Sequence, residues 1–136
     1  MLREARAAGV WRVAVPAALL LVATPVVGVD AASAYNDVAL AAAGFGLFVL
    51  VEEWRRRAKS DGGLLMVAGL LAGFAMGLKY TGVLALVYLV GVLIRERVAP
   101  EASARVLAAA ALPIVPWLLR NAWQTGNPVA PFANTL

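Results

Sequence analysis

Five apolar runs, separated by breaks too short to fold into anything of their own, constrain this chain more than any other feature. The runs are Trp11–Val29, Asp37–Val51, Gly63–Leu78, Tyr80–Ile94 and Ala104–Leu119, and one of the breaks is Lys79 alone. Apolar residues make up 62% of the 136 and charged residues 15%, against roughly 45–50% and 25% in a soluble domain. A globule of this size keeps much of its surface wet and has no interior that could hide the excess. The sequence therefore predicts an all-α polytopic membrane helix bundle. Its spans are expected at about 11–29, 37–53, 63–78, 80–95 and 104–119, with residues 120–136 as an extracytoplasmic tail. Runs of 15 or 16 residues reach about 24 Å as helix, short of the roughly 30 Å hydrocarbon core. Such short spans suit a piece of a larger bundle.

Charge orients the bundle. Arg3, Arg6 and Arg12 precede the first run; Arg55, Arg56, Arg57 and Lys59 follow the second; Arg95, Arg97 and Arg105 lie around the fourth break. With alternating spans all ten fall on one side, leaving Lys79 and Arg120 on the other. The positive-inside rule then puts the N-terminus in the cytoplasm and the C-terminus outside. The net charge of +4 is thus a topology signal and not a nucleic-acid footprint. Ala32-Ser33-Ala34 resembles a signal-peptidase site, but the first run is long and carries Pro16 and Pro25, so residues 1–34 are expected to stay attached. The chain has no Cys and no His, which excludes disulfides, Cys/His metal centres and His-based triads.

Gly69, Gly73 and Gly77 share one helix face and predict close packing within the bundle. Trp54, Trp117 and Trp123 fit an interfacial aromatic belt, and Glu52 and Glu53 a solvated charge cluster. Asp30 reads as a loop residue. The outer face collects Asp37, Lys79, Tyr80, Arg120 and Asn121. Lys79 and Arg120 could complement helix C-termini and snorkel to headgroups. They could equally hold the phosphate of a lipid-linked donor, Arg120 through its planar fork and Lys79 as a point charge. Asp37 could serve as a helix-terminal acid or a cavity carboxylate, and either Asn36 or Asp37 could cap the second span.

Three segments resemble the multi-spanning glycosyltransferases of the GT-C class, near the protein-mannosyltransferase and lipid A aminoarabinose transferase families. They are Ala34–Leu40 with Trp54-Arg55, then Ala68–Gly82 with its Gly-x-Lys-Tyr-Thr, and Pro116–Asn121 continuing to Gly126-Asn127-Pro128. The resemblance implies transfer of a sugar from a polyprenyl-phosphate donor on the extracytoplasmic face of a bacterial inner membrane. It implies that Lys79 and Arg120 bind the donor phosphate, and that Asp37, Tyr80 and Asn121 line the cavity. It also implies metal assistance in some members, for which Asp37 is the one weak ligand candidate.

The class carries an acidic motif in its first outer loop, expected to supply the catalytic base, and that motif has no counterpart here. The chain thus reads as an internal fragment, inactive without the remainder of its parent enzyme. The rival readings are a small transporter, in which Asp37 and Lys79 form a coupling pair but sit at span ends where mid-membrane positions are expected, and a non-catalytic assembly subunit.

Overall fold

The computed structural model describes residues 9–32, 36–130 and 132. Arg3, Arg6, the Ser33-Ala34 part of the cleavage signal, Tyr35 and residues 133–136 lie outside them. The described residues form helices and no strand, in two units, Met1–Ala41 and Ala42–Leu136.

In the first unit the expected span 11–29 is two helices, α1 (Trp11–Ala23) and α2 (Pro25–Ala32). Pro25 causes the break. Its ring disfavours helical backbone at the residue before it, and Thr24 is extended, with φ −68° and ψ 120°. The Thr24 carbonyl then accepts from Val27 and Gly28 at 3.0 and 3.2 Å and restarts the helix. Asp30 therefore falls inside α2 and not in a loop.

The second unit takes up α3 (Asp37–Arg56), which begins in the first, and then α4 (Gly62–Leu78), a 3-10 turn (Tyr80–Gly82), α5 (Val83–Arg95) and α6 (Pro100–Thr125). Local chemistry explains each boundary. After α3, Ala58 and Lys59 turn left-handed, and Lys59 N–H donates to the Trp54 carbonyl at 3.0 Å, closing the orphan carbonyls of the last turn. The Asp61 carboxylate accepts from the Gly63 and Leu64 amides at 3.0 and 3.4 Å and opens α4. Arg97, at φ 51°, ends α5 in the same way as Ala58 ends α3, with Val98 N–H on the Leu93 carbonyl. Pro100 starts α6, where its missing N–H costs nothing.

α6 is longer than expected. The helix does not stop at Leu119 but runs to Thr125, and the tail begins only at Gly126, left-handed at φ 71°. Arg120 to Gln124 hold no breaker, so nothing ends the helix before the glycine. At 26 residues it is about 39 Å long. Among the described residues it is the one helix both long and apolar enough to cross a membrane, and only 17% of its apolar window is buried. The segments Gly62–Leu78 and Tyr80–Arg95 are apolar but shorter.

Small residues make the α4–α6 contact. α4 turns Ala68, Gly69, Ala72 and Gly73 inward, and α6 meets them with Val106, Ala109 and Ala110. A Cβ on Gly69 would stand 2.5 Å from the Val106 carbonyl oxygen, and one on Gly73 would stand 1.9 Å from that of Ala110. The glycine row thus packs inside the unit, backbone against backbone. α3 adds Leu47, Val51 and Trp54, and α5 adds Leu89, Val92 and Leu93. Trp54, 3% exposed, is a core residue and not part of an interfacial belt. Other large apolar side chains face outward: Phe48, Phe74, Leu84, Ile94, Leu112 and Leu119 are all about half exposed or more.

Ion pairs tie the α3–α4 and α5–α6 turns together at one end. Glu96 accepts from Arg55 Nε at 3.0 Å and from Lys59 Nζ at 2.6 Å, while Arg55 also pairs with Glu52. Arg56 pairs with Glu53 at 2.9 Å, and Arg57 with Glu53 and Asp61 at 3.0 Å. The hydrogen bond from Lys59, with Arg55 beside it, holds the Glu96 carboxyl below the usual carboxylate range.

Gly73→Ala is expected to lower stability by about 1–3 kcal/mol, because the Ala110 carbonyl must move. Gly44→Ala, whose new methyl meets nothing, should instead gain about 0.5–1 kcal/mol from helix propensity. Unfolding of the two variants in mixed micelles should therefore shift in opposite directions. Glu96, ionised more readily in the folded state than unfolded, contributes stability above its unfolded pKa of about 4.3 and loses it as pH falls through the lower folded value. The difference in unfolding midpoint between wild type and Glu96→Gln should be present at pH 7 and shrink below about pH 4.

Candidate functional site

The end of the second unit opposite the ion pairs holds four of the residues singled out from the sequence. Lys79 is the cap between α4 and the 3-10 turn, with extended backbone at φ −159° and ψ 143°. The reversal there is tight because Gly82 sits against the end of α4: a Cβ on it would stand 2.1 Å from the Ala75 carbonyl oxygen. Tyr80 follows Lys79 in the turn, and Arg120 and Asn121 lie near the end of α6.

Tyr80 and Asn121 converge on one atom. The Tyr80 hydroxyl donates to the Ala130 carbonyl, and Asn121 Nδ2 lies 3.5 Å from the same oxygen and 3.4 Å from that of Pro128. Tyr80 also meets Phe132 edge to face, centroids 4.7 Å apart. Asn127 shapes the segment between: its Oδ1 accepts from Val129 N–H at 3.0 Å, and its Nδ2 donates to the Phe132 carbonyl at 2.6 Å. The sequence suggested Tyr80 and Asn121 as cavity-lining residues. In the structure their polar groups fasten the segment after Gly126 to the helix ends. Since Tyr80 adjoins Lys79 and Asn121 adjoins Arg120, the shared carbonyl ties the chain next to one cation to the chain next to the other.

An open cleft of about 340 Å³ lies beside them, between Phe74, Gly77 and Leu78 of α4 and Pro113, Pro116, Trp117 and Arg120 of α6. It opens where the glycine row ceases to touch. Gly69 and Gly73 press on α6, but at Gly77 the nearest atom to a Cβ, the Pro113 carbonyl oxygen, is 3.9 Å away. Pro113 and Pro116 lack the N–H groups that would bond the carbonyls of Ala109 and Leu112, which loosens the helix at this level. The Arg120 guanidinium lies over the Trp117 ring, 5.4 Å from its centroid, a cation–π contact one turn apart.

The electrostatics are one-sided. The acids among residues 42–130 are Glu52, Glu53, Asp61, Glu96 and Glu101, and all belong to the turns at the other end. Lys79 and Arg120 stand at the end of their unit opposite these acids. Trp117 was read from the sequence only as a belt residue. Its i, i+3 spacing to Arg120, just after Pro113 and Pro116, was the signal for its place under the guanidinium.

Asp37 belongs to the other unit. Leu40 N–H donates to the Asn36 carbonyl at 2.8 Å, so Asn36 takes the cap position and Asp37 lies in the first turn of α3, where a negative charge complements the helix dipole. Among the described residues no three acids gather as a metal site. No protein-family profile, curated protein or solved structure matches the chain.

Proposed function

We propose that this chain is part of a membrane glycosyltransferase that uses a polyprenyl-phosphate-linked sugar on the extracytoplasmic face. On this reading the five apolar runs cross the bilayer, the ion-paired turns face the cytoplasm, and the end bearing Lys79 and Arg120 faces out. Supporting the membrane setting, small residues form the α4–α6 contact and many large apolar side chains of the second unit face outward. Lipid-embedded bundles pack this way, since close backbone approach and not solvent exclusion holds their helices together. The transferase reading draws on the resemblance of the Lys79 and Arg120 segments to GT-C enzymes.

One observation carries the site: Arg120 lines an apolar cleft, at the end of the unit that also bears Lys79. A prenyl phosphate has the matching form, an apolar chain ending in an anion. The acceptor hydroxyl attacks the anomeric carbon, the bond from that carbon to the phosphate oxygen breaks, and the lipid phosphate leaves with the electron pair. The acceptor's proton goes to a base outside these residues. Arg120 and Lys79 stabilise the charge gathering on the leaving phosphate. A transporter would instead place its ionisable groups in mid-span, whereas Asp37, Lys79 and Arg120 lie near helix ends.

The orientation is tested with single cysteines at exposed positions. Ser60→Cys should resist an impermeant thiol reagent in intact cells and Thr125→Cys should react; labelling at 60 from outside would reverse the assignment. In the parent enzyme, Lys79→Met and Arg120→Met should each cost on the order of 2–4 kcal/mol of transition-state stabilisation. Arg120→Lys should also be harmful, because a point charge does not replace a fork. Near-normal turnover of both methionine variants, normalised to membrane abundance, would reduce the two residues to interface anchors.

A further inference from the structure

At the ion-paired end, most charges are spent on one another. Arg55, Arg56, Arg57 and Lys59 face Glu52, Glu53, Asp61 and Glu96, four cations against four acids in contact. Three arginines of the α5–α6 turn are left out of this network. Arg95 and Arg97 are exposed and make no side-chain hydrogen bond or ion pair among the described residues. Arg105 is exposed too, and its Nε reaches only the Glu101 carbonyl, at 3.4 Å. The acids near these three are Glu96, which Arg55 and Lys59 already hold, and Glu101. The turn therefore carries uncompensated positive charge.

Its position is equally specific. Immediately along α5 stands Ile94, 72% exposed, and immediately along α6 from Arg105 stands Leu107, 42% exposed. Charge gives way to exposed hydrocarbon within one residue on one helix and two on the other, as at a membrane surface, where guanidinium groups sit at headgroup level and aliphatic side chains below.

From this we infer that the α5–α6 turn is a docking surface for anionic phospholipid headgroups, formed by Arg95, Arg97 and Arg105. The inference rests on the membrane reading above but not on the transferase reading. A phosphodiester flanked by acyl chains meets both halves of the boundary, the arginines and the apolar side chains beside them. A soluble acidic partner would meet only the first.

The full chain is reconstituted in phosphatidylcholine vesicles, and its association with spin-labelled phosphatidylglycerol is compared with that of spin-labelled phosphatidylcholine. Wild type should prefer the anionic lipid, and the preference should fall in high salt. Each arginine removed should cost up to about fivefold, so Arg95→Gln with Arg97→Gly and Arg105→Gln should abolish the preference. Glycine suits position 97, since it adopts the positive φ there without strain. Replacing all three with lysine should restore the preference, because headgroup attraction needs charge and not a fork. Arg56→Gln, which breaks a paired arginine, should leave it unchanged.

A triple variant that keeps the preference, or an Arg56→Gln that loses it equally, would overturn the assignment. Equal association with both lipids, joined to salt-sensitive binding of polyglutamate, would give the turn to an acidic protein and overturn it as well. Release of the chain from vesicles by alkaline carbonate would instead sink the membrane reading, so the two failures are distinguishable.

Discussion

The contact on which the second unit depends is backbone against backbone, where Gly69 and Gly73 of α4 meet the carbonyls of Val106 and Ala110. With no side chain between them the helices approach closely, and dispersion acts across many short distances. That contact also sets the register between α4 and α6. Four residues beyond Gly73 the row reaches Gly77, where α6 presents Pro113 and no longer touches. The same row of glycines therefore closes the helix pair at one end and leaves the cleft open at the other. Larger residues at 69 and 73 would change the approach of α6 and, through it, the distance from Phe74 and Leu78 to Trp117.

Many large apolar side chains left exposed beside a small-residue α4–α6 seam depart from the usual rule for a chain in water. Water would penalise exposed Leu84, Ile94, Leu112 and Leu119 at about 25 cal/mol for each Å² of apolar surface. Against lipid tails that penalty vanishes, and little hydrophobic drive remains to pack helix on helix. Close packing has to supply the difference, and alanine and glycine permit it. Large side chains are buried too, Leu65 on α4 and Leu47, Val51, Trp54 and Leu89 on α3 and α5. Those of α3 and α5 fill the space left beside the narrow α4–α6 pair.

Much of the helical layout was legible in the residues. Lys79 marks the reversal, and Asp61 before Gly62-Gly63 is a helix start with its acceptor in place. The glycine spacing foretold close packing inside the bundle. Other features were hidden for identifiable reasons. In α6, Leu119 ends the apolar run but not the helix, because hydropathy tracks solvent preference while Gly126 stops the backbone. Trp54 looked interfacial because it adjoins charges, yet helical spacing from Leu47 and Val51 carries it to the core face. The Glu96 clasp joins residues about forty apart, beyond the reach of any local pattern. The fastening of Tyr80 and Asn121 on Ala130 is likewise long-range for Tyr80. It involves a backbone carbonyl, which the residue type at 130 does not announce.

The two ends of this unit answer differently to an approaching anion. Where acids interleave with cations, each positive charge is largely cancelled within a few ångströms, and Arg95, Arg97 and Arg105 are the remainder. At the other end stand Lys79 and Arg120, and the cleft adjoining Arg120 is apolar. Charge interactions strengthen where water is displaced, so a cation beside an apolar wall attracts an anion more strongly than one in open solvent. The Trp117 ring constrains Arg120 further. The guanidinium lies over the indole, 5.4 Å from its centroid, and brings a planar fork of donors suited to two bonds with one anion. Lys79, on an extended residue outside any helix, adds a compact charge with no fixed plane. On the proposed reading these are complementary roles on one phosphate, the fork setting its orientation and the ammonium neutralising a remaining oxygen. Exchanging the two residue types should then be worse than either conservative change alone.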